Sequence, residues 1–183
     1  MLIKVLNPAR FTEIVGEVVT STEGEVDDTL AKAHGTYKAW ATISPEERAS
    51  RLSDAAKAVS EQMPRLATLF VRENGKPLHE AERDIQRSIE LTQVVAQELP
   101  RWWKPELVDA HQPVWTRRRP RGVTAVISPW NSPVLLSFKR CIPAIATGNT
   151  VVIKPASQIG DVRSRNAFAG RIFCSTQCYY RQR

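Results

Sequence analysis

Two polar side chains, Asn131 and Lys154, stand where an apolar run of the sequence gives way to proline. Asn131 lies in "ISPWNSP", and Lys154 ends "TGNTVVIKP". Because Pro129 and Pro133 restrict the backbone on both sides of Asn131, this loop is stiff and can aim the amide. The amide could then serve chemistry on a bound molecule. The alternative is an ordinary turn in which Asn131 bonds to its own backbone, and a Lys at a strand end is usually just solvated.

The segments around these side chains are predicted to form a strand–helix–strand unit. "GVTAVIS" and "TVVIKP" are β-branched apolar runs that indicate two short buried strands. Between them, "SPVLLSFKRCIPAIAT" is long enough for a helix, with Ser132 as its cap and Pro133 at its first position. Pro143 is expected to bend that helix or to end it early.

Such a unit crosses over right-handed into a parallel sheet. Asn131 and Lys154 should therefore lie at the same carboxyl edge of the sheet, where open α/β sheets bind ligands. The N-terminus of the helix adds a partial positive field at that edge.

The first hundred residues are predicted to form a strand-and-turn arm followed by four helices. The first helix places five residues on one face: Val26, Leu30, Ala33, Tyr37 and Trp40. The second begins with a capping box formed by Ser44 and Glu47, with Pro45 at its first position.

The third helix, "PRLATLFVRE", is predicted to stop at Asn74-Gly75, because Gly readily adopts the left-handed conformation that ends helices. The fourth is predicted from about Leu78 to Leu99, with four residues facing inward: Ala81, Ile85, Ile89 and Val95.

Composition is that of a soluble globular protein, with 42% hydrophobic and 25% charged residues among 183. The longest apolar stretch is interrupted by prolines and Asn131, so no membrane-spanning helix is expected. The N-terminus lacks the long apolar core of a secretory signal, and a cytoplasmic location is expected.

Basic charge is concentrated in two places. Residues 161–183 contain five Arg and one Asp, which is +4 of the total net charge of +7. The run "TRRRPRG" could touch phosphates, but it leads into an apolar strand and carries no interleaved aromatic residues. A solvated or interface strand is favoured over a nucleic-acid site.

Cysteine and histidine give no metal or disulfide pattern. Cys141 falls in an apolar helix, where a buried inert thiol is expected. Cys174 and Cys178 have no second Cys or His pair near them, which is a poor zinc signal. The three His residues are scattered and are interpreted as surface or structural groups.

The sequence as a whole resembles the aldehyde dehydrogenase superfamily. The resemblance rests on "ISPWNSP", "PAIATGNTVVIKPAS", "RENGKP", "NPAR…GEV" and "AHGTYKAWATISPEERASRL", in order across residues 5–159. It implies an α/β fold: N-terminal helices plus the start of a Rossmann-like parallel sheet, which is an incomplete cofactor domain. Residues 1–160 would form this partial NAD(P)-binding domain, and residues 161–183 an atypical basic tail.

The resemblance also implies site residues. Asn131 matches the Asn that donates its amide to the oxygen of the substrate aldehyde, and Lys154 matches the Lys that bonds the adenosine ribose of the cofactor. Four residues match the lining of the cofactor groove: Ile127, Ser128, Pro129 and Trp130. Ser157 stands where many NAD-preferring members carry Glu, so NADP should be tolerated as well as NAD.

The implied function is oxidation of an aldehyde to a carboxylic acid with NAD(P), in a family that tends to form homo-oligomers. The family's nucleophilic Cys, its general-base Glu and its Gly-rich turn lie further along the chain than these residues reach. The chain is therefore expected to be truncated and inactive alone. A frame-shifted or prematurely ended reading would explain the tail 161–183, and a genuinely divergent or disordered end is the alternative. The alternative is a non-catalytic remnant that binds cofactor weakly or associates with full-length homologues. Neither nucleic acid nor membrane is an expected partner.

Overall fold

The structure, a computed structural model, describes residues 2–109, 111 and 114–156. These residues form eleven elements in the order β1 (Leu2–Asn7), β2 (Arg10–Val19), α1 (Glu23–Thr42), α2 (Pro45–Glu61), α3 (Met63–Asn74), α4 (Leu78–Trp102), β3 (Glu106–Asp109), β4 (Val114–Thr116), β5 (Val123–Ile127), α5 (Pro133–Ala146) and β6 (Thr150–Lys154). Ser157, Cys174, Cys178 and the tail 161–183 lie outside the described residues. No described helix is long and apolar enough to cross a membrane.

The described strands pair into three two-stranded sheets, and only the last bears on the site. β1 with β2 and β3 with β4 are antiparallel, whereas β5 and β6 are parallel. Since α5 connects β5 to β6, the predicted strand–helix–strand unit is confirmed, and so is the α/β class with a short parallel sheet behind N-terminal helices.

The long helix α4 is the centre of the helical layer, because α2, α3 and α5 all pack against it. The four residues predicted to face inward are all buried: Ala81, Ile85, Ile89 and Val95. They share one core cluster with residues of α5, β5 and β6, including Ile142, Val126 and Val151. The parallel unit is thus held on the helices by apolar burial, which is the dominant favourable term in folding.

Helix α1 corrects one prediction about its apolar face. Ala33 is buried, and Tyr37 and Trp40 are half-buried on the parallel unit, but Val26 and Leu30 are exposed. The C-terminal half is tied down by Trp40 Nε1, which donates to the Ile145 carbonyl at 2.9 Å. Residues 21–28 are all exposed, so none of the described elements covers the apolar side chains in the first turns of α1.

The start of α2 corrects the predicted capping box, of which only the Ser44 half forms. Ser44 caps α2 by accepting from the Glu47 amide at 3.1 Å, but the Glu47 carboxylate pairs with Arg51 and does not return to the cap. A complete capping box occurs instead at α1, where Thr22 and Glu25 bond each other reciprocally.

Arg48 of α2 joins the helical layer to the parallel unit from the inside. It is 1% exposed, and its guanidinium donates to the Ala146 carbonyl (Nε, 2.8 Å) and the Ile43 carbonyl (Nη1, 2.5 Å). The guanidinium carbon lies 5.0 Å from the centroid of the Trp103 ring. Burial lowers the pKa of Arg48 from its ordinary value.

The turn between α3 and α4 depends on Gly75, as predicted. Gly75 has φ +77°, and its N–H donates to the Val71 carbonyl at 2.8 Å. A Cβ built on Gly75 would lie 2.7 Å from Pro8 Cγ in the β1–β2 turn. Glycine is therefore needed both for the left-handed conformation and for the close approach of the arm.

Replacing Gly75 by alanine is expected to lower the free energy of unfolding by roughly 2 kcal/mol, because the left-handed conformation and the contact with Pro8 both oppose a Cβ. Urea denaturation followed by circular dichroism measures the change. Gly35→Ala is the matched control, since Gly35 lies inside α1 with no atom within 4 Å of an added Cβ. The control should be neutral or slightly stabilising, and an equal loss in both variants would contradict this account.

Candidate active site

The carboxyl edge of the β5–β6 sheet brings the two predicted segments together. Ile127 at the end of β5 is the register partner of Lys154 at the end of β6. One residue further, the Ser128 amide donates to the Lys154 carbonyl at 3.0 Å. The loop 128–132 therefore leaves the sheet beside the residue that ends β6, as expected for a ligand-binding edge.

Asn131 is exposed, and its side chain makes no hydrogen bond with any residue that the structure describes. The side chain of Asn149, just after the other end of α5, is by contrast fully engaged in hydrogen bonds. Its Oδ1 accepts from the amides of Arg121 and Gly122, and its Nδ2 donates to the Ala144 carbonyl at 3.1 Å. Asn149 is thus a turn residue bonded to nearby backbone, whereas Asn131 is exposed and its amide is not used by the described backbone.

The loop carrying Asn131 is held on both sides by the α3–α4 region. On one side, Asn74 Nδ2 donates to the Trp130 carbonyl at 3.0 Å. On the other, Ser132 Oγ donates to Asp84 Oδ2 at 2.7 Å. Lys76 Nζ lies 2.7 Å from the same Asp84 oxygen. Asn74 and Lys76 belong to "RENGKP", which contributed to the resemblance and, at Asn74-Gly75, predicted the end of α3. Neither their part in holding the loop nor that of Asp84 was foreseen.

Ser132 corrects the prediction that its side chain caps α5. It does occupy the N-cap position, and its carbonyl accepts from the Leu136 amide at 3.0 Å, but its hydroxyl makes no cap bond. The hydroxyl instead turns toward Asp84, since a carboxylate is a strong charge-assisted acceptor. Pro143 does not end α5 early either, because the helix continues to Ala146. Pro143 is exposed, so water can satisfy the carbonyl that its missing N–H leaves open.

The residues predicted to line a cofactor groove divide into two kinds. Ile127 is 78% exposed, Trp130 is 44% exposed and Pro129 is exposed, so their side chains are available to a ligand. Ser128 is buried, and its hydroxyl bonds the Pro133 carbonyl and the Ser137 hydroxyl under the loop. Only the backbone of Ser128 can therefore face a groove.

Lys154 is exposed at the edge, where its Nζ donates to the carbonyl of the next residue, Pro155, at 3.2 Å. The N-terminus of α5 opens onto the same edge, and both features favour a group rich in hydrogen-bond acceptors or negative charge. Ser157, predicted to lie near the cofactor ribose, falls outside the described residues.

Within the part of the chain that the structure describes, neither a cysteine nor a cluster of metal ligands lies in the loop 128–132. Cys141 of α5 is buried in the core cluster, as predicted. Within residues 2–109, 111 and 114–156, no group of three or more His, Cys, Asp or Glu residues could hold a metal ion. The three His residues of the chain are exposed: His34, His79 and His111.

A parallel strand pair joined by a helix, with accessible polar groups at its carboxyl edge, is the start of a Rossmann-like sheet. A sequence model of the aldehyde dehydrogenase family matches residues 1–162, which include every described element. The chain belongs to the aldehyde dehydrogenase family, as its motifs predicted.

Individual relatives agree with this assignment. The chain is 36% identical to α-ketoglutaric semialdehyde dehydrogenase of Bacillus subtilis, over 86% of this chain and 33% of the relative. It is 34% identical to the NADP(+) succinate-semialdehyde dehydrogenase of Saccharomyces cerevisiae, over 85% of this chain and 31% of the relative. The chain thus spans about a third of the length of the curated relatives it matches.

Solved structures show the same fold over the described elements. An NADP-dependent enzyme of E. coli superimposes with a TM-score of 0.85 at 31% identity, covering 96% of this chain and 36% of that one. Glyceraldehyde-3-phosphate dehydrogenase GapN of Methanocaldococcus jannaschii, complexed with NADP, gives a TM-score of 0.85 at 26% identity, covering 94% and 37%.

Proposed function

We propose that this chain contributes the oxyanion donor and one wall of the cofactor site to an NAD(P)-dependent aldehyde dehydrogenase, which oxidises an aldehyde to a carboxylic acid. The observation that carries the proposal is the Asn131 amide. It is exposed at the carboxyl edge of the parallel sheet, has no hydrogen bond within the described part of the chain, and lies on a loop anchored on both sides. The relatives, several of them semialdehyde dehydrogenases, support the reaction class.

The chemistry calls for a neutral donor of this kind. Attack of a thiolate on an aldehyde carbonyl produces an alkoxide, and a donor fixed in advance stabilises that charge without reorganising. The Asn131 Nδ2 group supplies the donor, and the dipole of α5 adds to the field around it. In the family, the thiolate and the base that hydrolyses the thioester come from downstream segments, and Cys141 cannot take the first role because it is buried in the core.

The cofactor is assigned to the same edge. NAD(P), when bound, supplies the acceptor for the hydride. Lys154 is placed to bond a ribose hydroxyl, since its ammonium is exposed and its bond to the adjacent carbonyl is easily exchanged. The exposed Ile127, Pro129 and Trp130 side chains and the Ser128 backbone line the neighbouring surface. The neutral Ser157 would not repel a 2′-phosphate, so NADP is accepted with NAD.

The purified chain should bind NAD and NADP with similar Kd values in isothermal titration calorimetry and should not produce sustained reduced nicotinamide when aldehyde is added. Lys154→Ala should weaken both affinities roughly tenfold, as expected for loss of one charged hydrogen bond. The matched control is Lys57→Ala, because Lys57 is exposed on α2 and outside the proposed site.

Sustained turnover by these 183 residues would overturn the assignment of nucleophile and base to other segments. A large preference for NAD over NADP would contradict the role given to Ser157. Equal binding by wild type and Lys154→Ala would remove Lys154 from the cofactor site.

A non-catalytic role through association with full-length homologues remains the second candidate, and exposed apolar side chains favour it. The β3–β4 hairpin exposes Leu107, Val108 and Trp115, and β5 exposes Ile127. Size-exclusion chromatography with and without a full-length relative distinguishes the two functions. Under either one we propose residues 1–160 as the folded unit and 161–183 as a separate basic tail, in a cytoplasmic protein with neither nucleic-acid nor membrane partners.

A further inference from the structure

We infer that Asn74, Lys76 and Asp84 are positioning residues that set the direction of the Asn131 amide. These three residues of the α3–α4 region, called the clamp below, hold the backbone on both sides of Asn131. The inference rests on the proposed function in one respect only, which is that Asn131 is the group whose direction matters.

Two residues of the clamp are buried and Lys76 is half-buried, so the clamp is rigid enough to position another group. Asn74 is 7% exposed and Asp84 is 8% exposed. Asn74 is the last residue of α3, whose end is fixed by Gly75, and Asp84 lies in the second turn of the central helix α4. The Lys76 ammonium lies 5.2 Å from the centroid of the Phe70 ring, which limits its movement.

The two contacts fall on the residues immediately before and after Asn131. Asn74 holds the Trp130 carbonyl, and Asp84 holds the Ser132 hydroxyl. With both neighbours fixed, the backbone at Asn131 has little freedom to rotate, and its Cα–Cβ bond keeps one direction. The Asn131 side chain has no hydrogen bond of its own within the described residues, so the point and direction from which the amide leaves the backbone are set by the clamp. Displacement of a reacting group by about 1 Å is enough to cost roughly a hundredfold in rate.

Ser132 indicates that the contact does more than fasten two helices. A serine at the N-cap usually stabilises its own helix by accepting from the first turn. Ser132 omits that bond and donates to Asp84 instead. The Lys76 ammonium shares the same carboxylate oxygen, so Asp84 keeps its charge compensated while it holds the loop.

The test compares Ser132→Ala with Ser132→Thr by ¹⁵N relaxation NMR on the chain without cofactor. In Ser132→Ala, the order parameter of the Asn131 backbone amide is expected to fall from about 0.85 to below about 0.6, with faster motion of its side-chain NH₂ group. Ser132→Thr keeps the hydroxyl and should restore both values. Ser53→Ala is the control, because Ser53 is an exposed residue of α2 that bonds only its own helix.

Asp84→Asn provides a second variant, since it keeps an acceptor but removes the charge that Lys76 and Ser132 share, and it should give an intermediate order parameter. If Ser132→Ala lowers only the free energy of unfolding and leaves the Asn131 relaxation unchanged, the inference is overturned. The clamp would then only stabilise the packing of α4 against α5. Because the measurement needs no cofactor, its failure is distinguishable from failure of the proposed function, which cofactor binding and turnover report.

Discussion

Asn131→Ala is expected to lower kcat roughly 100- to 1,000-fold in an active enzyme that contains this chain's site, the range found when one oxyanion donor is removed. Such an enzyme can be assembled from residues 1–156 and the downstream two thirds of the B. subtilis relative, which is 36% identical over the shared region. The loss should appear in kcat, because the hydrogen bond strengthens as charge develops on the substrate oxygen.

Steady-state kinetics with an aldehyde and NAD(P), combined with the cofactor Kd, separate this effect from poor folding. The Kd should stay unchanged in Asn131→Ala, since the amide is assigned to the substrate oxygen. Gln93→Ala is a suitable control, because Gln93 is an exposed amide on α4 with no place in the proposed site. A decrease in kcat of less than about fivefold would show that the exposed Asn131 amide is not the oxyanion donor.

Arg48→Ala is expected to lower the free energy of unfolding by about 3 kcal/mol. The substitution removes two charge-assisted hydrogen bonds and leaves the Ala146 and Ile43 carbonyls without their donors. It also opens space beside the Trp103 ring. Urea denaturation at neutral pH measures the change.

Arg51→Ala is the matched control one turn away on α2. Arg51 is half exposed and pairs with Glu47, and exposed pairs of this kind contribute about 0.5 kcal/mol or less. Arg48→Lys should lie between the two variants, because an ammonium cannot reach both carbonyls as the guanidinium does. Equal losses in Arg48→Ala and Arg51→Ala would mean that the buried contacts add nothing.

The parallel unit and its edge were predictable because each rests on local sequence. Two β-branched runs on either side of a helix-length segment allow few arrangements, and a right-handed crossover places Asn131 and Lys154 at one edge. The end of α3 at Gly75 was predictable for the same reason, since only the turn chemistry of one residue decides it.

Long-range contacts account for what the sequence could not predict. The period of α1 places Val26 and Leu30 on a face with Ala33, but periodicity does not say how far along that face a partner extends. Ser132 has the type and position of a cap, and only the arrival of Asp84 from α4 turns its hydroxyl away. In the sequence, Arg48 looks like any exposed charged residue of a helix. Its burial follows from contact with the end of α5, which is distant in the sequence.

Two hydrogen bonds hold the Asn131 loop, and their partners are separated by 56 positions (Asn74 and Trp130) and by 48 positions (Asp84 and Ser132) in the sequence. In both pairs the residue of the α3–α4 region precedes the loop residue along the chain. During synthesis on the ribosome, the chain emerges from its N-terminus, so the α3–α4 hairpin is translated and emerges before the loop does. Because closing such distant contacts requires the intervening chain to be ordered first, the loop should acquire its final shape late, by docking onto a surface already made. The α3–α4 hairpin is thus made before the loop 128–132 that docks onto it.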